Sequence, residues 1–303
     1  MLTTLATLAG LALAQQTDTT VPVRAGARLE VNNFGGDITV KTWSKSAVRI
    51  AASHSSRDHI TIEASDQVVR VKSEGRGGPS HVVDYDFTVP AAMALSLSGV
   101  YTDISVEGSE GEITAETVQG TVKVSGGAGN VSLKSVQGDV TLEKAHGRID
   151  LSSVNETITA SQISGDLSAE TVNGDISLVQ IESANAEANT VNGDVVYDGT
   201  IKDGGRYRFS THDGDLRVSV PDKSNVSVSV STFNGDFSAC FPIQLTSSKT
   251  KHRFGFTIGS GSARLEVESF DGDIRLCRPG QLSKDKERDK DHDQDHDQDQ
   301  EEE

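Results

Sequence analysis

Val118-Gln119-Gly120-Thr121-Val122 returns eighteen residues on as Val136-Gln137-Gly138-Asp139-Val140, then as Val154-Asn155-Glu156-Thr157-Ile158 and Val172-Asn173-Gly174-Asp175-Ile176. A nineteen-residue step gives Val191-Asn192-Gly193-Asp194-Val195. A second series, Gly111, Gly129, Gly147 and Gly165, halves the interval. Glycine, or Glu156 in one slot, therefore marks every ninth position from 111 to 174. Periodicity of this kind signals a stacked repeat, and the fold follows from it.

Each half-repeat is a glycine turn followed by a short alternation such as Val140-x-Leu142 or Ile149-x-Leu151. Glycine supplies backbone angles that other residues resist, and the alternation sends one set of side chains inward. Two strands per eighteen residues predict an all-β fold, a β-solenoid whose coils stack about 4.8 Å apart. Stacking aligns like residues in columns. Val122, Val140, Ile158, Ile176 and Val195 form one inward column, and Val131, Ile149 and Leu167 another. Val118, Val136, Val154, Val172 and Val191 are expected to form a third at the turn, beside an amide ladder of Gln119, Gln137, Asn155, Asn173 and Asn192. No stretch sustains the 3.6-residue period of a helix. Aromatic residues are only 5% of the chain against 29 glycines, which suits a thin core of small and β-branched groups with no room for rings.

Outside this region the pattern loosens. His212-Asp213-Gly214-Asp215-Leu216, Phe233-Asn234-Gly235-Asp236-Phe237 and Phe270-Asp271-Gly272-Asp273-Ile274 follow at steps of 21, 21 and 37 from Gly193, which calls for longer coils or inserted hairpins. Upstream, Ile60-x-Ile62, Val69-x-Val71 and the alternating Val83, Tyr85, Phe87 and Val89 read as strands. The solenoid is assigned to residues 99–278, and residues 28–98 to a β-sandwich-like cap covering its edge. Residues 15–27 read as a linker.

The two ends differ from the rest. Residues 2–14 are uncharged and largely apolar and close on Ala12-Leu13-Ala14, a small-x-small pattern expected of a signal peptide cleaved after Ala14, although no Lys or Arg precedes the run. The segment is too short to span a membrane, and the mature chain is expected to be exported to the periplasm or cell surface. From Lys284 onward there are eleven acids and four bases with no apolar residue to bury, so residues 279–303 read as a disordered acidic tail. Asp291, Asp293, Asp295, Asp297, Asp299 and Glu302 fall at calcium-loop spacings, but His296 stands where such a loop needs glycine. The net charge of −17 argues against nucleic acid or anionic membrane as partner.

Candidate chemistry is sparse. The residue after the turn glycine reads Thr121, Asp139, Thr157, Asp175 and Asp194, with Asp215 and Asp236 extending the column, and Asp is a natural turn former there. Gly126-Gly127-Ala128-Gly129-Asn130 approaches a calcium-binding β-roll repeat, but Val131 replaces its liganding Asp. No nucleophile elbow, HExxH or phosphate loop is present. His54, His59, His81, His146, His212 and His252 are scattered, and Trp43 is expected to pack in the cap. Neither metal nor cofactor is predicted. Cys240 and Cys277 each follow a motif glycine by five residues. On adjacent coils they would lie within disulfide range; one coil further apart, at about 9.6 Å, they could not bond.

Asn33-Phe34-Gly35-Gly36-Asp37-Ile38-Thr39-Val40-Lys41-Thr42-Trp43, Tyr85-Asp86-Phe87-Thr88-Val89-Pro90 and the run of Gly-Asp-apolar units together resemble the bacterial DUF4097 family of β-strand-repeat proteins, which carries an adhesin label. The resemblance covers residues 28–277. It implies a β-solenoid at the envelope or surface and supplies no catalytic residue. The expected function is that of a non-enzymatic, adhesin-like module presenting polar ladders to a protein or glycan surface. The alternative is a periplasmic structural protein without an external ligand, followed by a carbohydrate-active enzyme.

Overall fold

The computed structural model describes residues 15–75, 82–250 and 252–282. The segment read as a signal peptide and all but the first residues of the acidic tail lie outside them. The described residues hold twenty-six strands. In chain order these are β1 (Gln15–Pro22), β2 (Arg28–Gly35), β3 (Ile38–Trp43), β4 (Ala47–His54), β5 (Asp58–Ala64), β6 (Val68–Gly75), β7 (Asp84–Pro90), β8 (Ala94–Tyr101) and β9 (Ile104–Ser109). They continue as β10 (Ile113–Gln119), β11 (Val122–Gly126), β12 (Ala128–Gln137), β13 (Val140–Glu143), β14 (His146–Ser152), β15 (Ile158–Glu170), β16 (Ile176–Glu182), β17 (Asn185–Asn189) and β18 (Val195–Gly199). The last are β19 (Arg206–Asp213), β20 (Leu216–Ser219), β21 (Val226–Asn234), β22 (Phe237–Ala239), β23 (Leu245–Thr250), β24 (Arg253–Ile258), β25 (Ala263–Asp271) and β26 (Ile274–Cys277). The fold is all-β, and no helix occurs among the described residues.

Strands alternate between two hydrogen-bonded ladders. In the central part every pairing is parallel and steps by the sequence repeat: Val122 lies beside Val140, Val140 beside Ile158, Ile158 beside Ile176 and Ile176 beside Val195. The partner ladder aligns Ile113, Val131, Ile149, Leu167 and Ala186 in the same way. Both columns are buried. The ladders face each other across a single apolar core. Contact across it is direct where Tyr197 of β18 meets Phe209 of β19, with ring centroids 4.7 Å apart.

A turn column keeps the chain on this step. Gly108, Gly126, Lys144, Gln162 and Gln180, each eighteen residues apart, all have positive φ. Three of the five are not glycine, so the geometry is imposed by stacking rather than by local preference.

Order along the stack departs from order along the chain at both ends. At the start, β2 and β3 lie between two layers, β6/β7 on the outside and β8/β9 on the inside. At the finish, β25 and β26 are threaded between β19/β20 and β21/β22. Antiparallel strands complete each end: β5 on β6 and β4 with β1 on β7, then β24 with β23 on β21. Changing strand direction there ends the parallel stacking template, which a bare edge would otherwise present to another chain.

Three expectations change. Residues 28–98 are not a separate sandwich. Leu29 and Val31 pair in register with Leu95 and Leu97, so this region supplies the first layers of the same two ladders. Residues 15–27 hold a strand, β1, paired with β4 over its whole length. The core does admit aromatic rings: Tyr85, Phe87, Tyr197, Tyr207, Phe209 and Phe256 are fully buried. The stack makes room by placing small residues beside large ones. Ala186 and Ala188 precede Tyr207 and Phe209 in register, and Tyr197 packs across the core against both rings. Burial pushes the Tyr85 hydroxyl up to about 12.

Candidate interaction surface

The edge where the ladder of Ile113 to Ala186 hands over to the ladder of Val122 to Val195 repeats one pattern through the central layers: Ser or Thr, an apolar residue, an amide or acid, Gly (Glu156 in one layer), then Asp or Thr. Each slot has a separate physical role.

The Ser/Thr slot is buried and ties the layers together. Ser135 Oγ donates to the Gly120 carbonyl, Thr190 Oγ1 to Gly174, Thr211 Oγ1 to Gly193 and Ser269 Oγ to Gly214, at 2.9–3.1 Å. Those carbonyls also explain the glycine slot. A Cβ at Gly138 would lie 2.0 Å from the Gly120 oxygen, and one at Gly214 2.1 Å from the Gly193 oxygen. Ser135, Thr190 and their equivalents were not singled out in the sequence. The signal was available: a hydroxyl residue stands three positions before Gly120, Gly138, Gly174, Gly193 and Gly214.

The Asp slot forms a ladder of caps. Asp175 accepts the Asp194 N–H, Asp194 that of Asp215, Asp215 that of Asp273, and Asp273 that of Asp236, at 2.8–2.9 Å. Arg217 bridges Asp194 and Asp215. At the other end Asp37 sits between Asp84 and Asp103 in register. Partial burial, then the Asp84 and Asp103 charges, raise its carboxyl above the usual range. The amide slot is a ladder over its three asparagines, with Asn192 donating to Asn173 at 2.7 Å and Asn173 to Asn155 at 3.1 Å, while Asn155 turns to the Val136 carbonyl.

The apolar slot overturns the reading of an inward third column. Val118 is 49% exposed, and Val136, Val172 and Val191 are exposed as well. With the buried Ser/Thr turned inward, the next residue must point out. The column becomes an apolar ridge along the edge. Beyond Val191 it turns aromatic: His212 stacks on Phe270 at 4.7 Å, Phe270 on Phe233 at 4.8 Å, and Phe233 on His252 at 6.1 Å. Phe233 is 59% exposed. At the opposite end Phe34 meets Tyr101 edge-on at 5.6 Å.

Cys240 and Cys277 are joined as a disulfide. Trp43 is half-buried: its Nε1 donates to the Ala47 carbonyl at 2.7 Å and Lys45 Nζ lies over its ring. His54 is buried against Thr17 and Ser55, while His212 and His252 join the ring stack. His81 lies outside the described residues. Among the described residues, no three His, Cys, Asp or Glu side chains converge as a metal site, and no helix is long and apolar enough to cross a membrane.

The fold has counterparts. The family model for the Toastrack DUF4097 proteins matches residues 27–277, and the chain belongs to that family. A crystal structure of a "putative adhesin" from Parabacteroides merdae is similar at a TM-score of 0.51 and 10% identity, covering 86% of this chain and 96% of that one. A "putative adhesin" from Bacteroides fragilis gives 0.46 at 13% identity, with 88% and 100% covered. A "putative lipid binding protein" from Parabacteroides distasonis gives 0.42 at 10%, with 86% and 96% covered. At 10% identity the Parabacteroides merdae likeness speaks for the fold alone. No curated protein matches the chain.

Proposed function

We propose that this chain is an exported, non-enzymatic β-solenoid that acts as an adhesin-like display rod at the cell surface or envelope. The observation that carries the reading is the repeat edge: an exposed apolar ridge flanked by ordered amide and carboxylate ladders. A protein keeps so long an apolar line in water at a cost, and lines of this kind serve contact with a partner. The adjacent ladders give that contact polar registration at intervals of about 4.8 Å.

Protease shaving of intact source cells tests it. Cleavage of this chain while a periplasmic control stays whole supports surface display. Protection until the outer barrier is breached would sink the adhesin role and leave an internal envelope protein.

A further inference from the structure

The outer face of the ladder that holds Ile149, Leu167 and Ala186 carries a second feature, away from the repeat edge. In register across β14, β15, β17, β19 and β25 stand Arg148, Asp166, Asn185, Arg206 and Arg264. The neighbouring row adds Glu187, Arg208 and Glu266. Together they line a depression of about 620 Å³. Through Arg208 and Glu266 it runs on into a smaller one of about 310 Å³ that reaches Arg253.

Arg206 and Arg264 are direct neighbours on adjacent strands. Among the described residues, the side chains of Arg148, Arg206, Arg208 and Arg264 make no ion pair and no hydrogen bond. Elsewhere Arg24 pairs with Asp66, Arg49 with Asp18, Arg70 with Glu30 and Glu63, Arg217 with Asp194 and Asp215, and Arg278 with Asp222, while among the described residues no two arginines other than Arg206 and Arg264 stand opposite each other with both side chains unpaired. Like charges directly opposite each other on a sheet destabilise it. Arg148 has Asp166 beside it and Arg208 lies between Glu187 and Glu266, but the Arg206–Arg264 pair has no acid between its members, and in a chain of net charge −17 that pair points to a ligand that supplies an anion. Free guanidinium forks match carboxylate or sulfate oxygens in pairs.

The spacing narrows the class. Arg148 and Arg206 are three strands apart, about 14 Å. Between them lie the Asp166 carboxylate, held by Asn185 Nδ2 at 2.9 Å, and the exposed Asn185 amide. Glu187 and Glu266 flank the trough. A nucleic acid, with a charge every 1.7 Å or so of duplex, or an anionic membrane would press phosphates onto those carboxylates. A chain whose charges are separated by neutral, hydroxyl-bearing units avoids that and offers hydroxyls to the acids and amide.

We propose that this trough binds a linear acidic polysaccharide, with the Arg206–Arg264 pair gripping one anionic group and Arg148 another further along the chain. The proposal deepens the display reading by naming a ligand class, but its test uses purified protein, so its failure is distinct from failure of surface display. Calorimetry and affinity electrophoresis of the purified chain would use hyaluronate as the carboxylate probe, κ-carrageenan as the sulfate probe, each charged on alternate sugars only, and neutral dextran as the control.

The expected result is binding of at least one charged polymer, none of dextran, and weakening as salt rises. Arg206→Gln with Arg264→Gln should lower that affinity at least tenfold while Tm holds or rises, since a like-charge pair is removed. Lys123→Gln, on the other ladder, should change nothing. Which probe binds assigns carboxylate or sulfate. Absence of polyanion binding at low salt would overturn the proposal. Full affinity in the double variant would do the same. So would phosphatidylglycerol vesicles or duplex DNA that bind as tightly as the glycans and are lost with the same two arginines.

Discussion

Cys240 and Cys277 are bonded with their Cα atoms 4.7 Å apart, although thirty-seven positions separate them in sequence. They meet because the last layer is threaded beneath the one before it, so that β26 lies directly beside β22. The bond closes a loop containing the β23–β24 hairpin and fixes the outermost parallel layer to its neighbour.

A loop of this length contributes about 4 kcal/mol through the unfolded chain. In a stack where each layer touches only its neighbours, removing it acts first at the near end. Cys240→Ser with Cys277→Ser should therefore speed hydrogen exchange in β21, β22 and β24 while leaving β10 to β16 protected. Equal loss of protection along the whole stack would contradict that nearest-neighbour picture.

Gly138 and Gln162 occupy turn positions with opposite requirements. At Gly138 the carbonyl of the layer below fills the place of a side chain, so Gly138→Ala should cost about 3 kcal/mol in a denaturant melt. At Gln162 the backbone is left-handed with φ 56° and the side chain is exposed. Gln162→Gly should stabilise by up to about 1 kcal/mol, the left-handed strain relieved less the extra chain entropy of glycine. A loss of stability there would mean that the glutamine side chain contributes more than its backbone strain costs.

Asp37 is the middle acid of three on adjacent layers, and its carboxyl pKa is raised in the fold. A raised acid binds more protons folded than unfolded between the two values. Stability from this group therefore falls as pH rises through that window and stays reduced above it. Asp37→Asn should raise Tm at pH 7, by an amount worth less than about 1 kcal/mol for so exposed a group. The gain should vanish near pH 3, where the wild-type carboxyl is already protonated. A constant difference across the pH range would show that charge is not the cause.

The eighteen-residue step, the parallel columns and the amide ladder were legible because stacking repeats whatever sequence repeats. Val140 and Ile149 could be assigned inward from alternation alone. Layer order at the ends was not legible: nothing at Gly235 and Gly272 says that the later motif stacks on Gly214 first, since both glycines fit the same turn. The buried aromatics are hidden from the sequence for a related reason. Tyr207 needs room that only its neighbour Ala186 reveals, and that adjacency comes from register rather than sequence proximity. Thr190 belongs to a hydroxyl slot whose repeat the sequence does display. Thr190→Val keeps the shape and removes the donor to the Gly174 carbonyl, and should cost about 1–2 kcal/mol by leaving that oxygen without its hydroxyl partner.

Val136 and Val140 look alike in the sequence, each beginning or ending the same five-residue unit, yet Val136 is 40% exposed and Val140 is 0% exposed. The difference arises at the turn. Ser135 points in to bond the Gly120 carbonyl, which forces Val136 outward, and the two residues after Gly138 restore the alternation so that Val140 returns to the core. Val140→Ser removes a buried apolar group and strands a hydroxyl in the core, for a loss of about 3 kcal/mol. Val136→Ser should move stability by no more than about 0.5 kcal/mol. Chemical melts of the two variants, side by side, separate the edge from the core. If the Val136 substitution costs as much as the Val140 one, the ridge is packing rather than surface, and the apolar line loses its claim as a contact face. If only Val140 matters for stability, then retention of valine at 118, 136, 172 and 191 is unexplained by folding, and binding at the edge becomes the reason to look for.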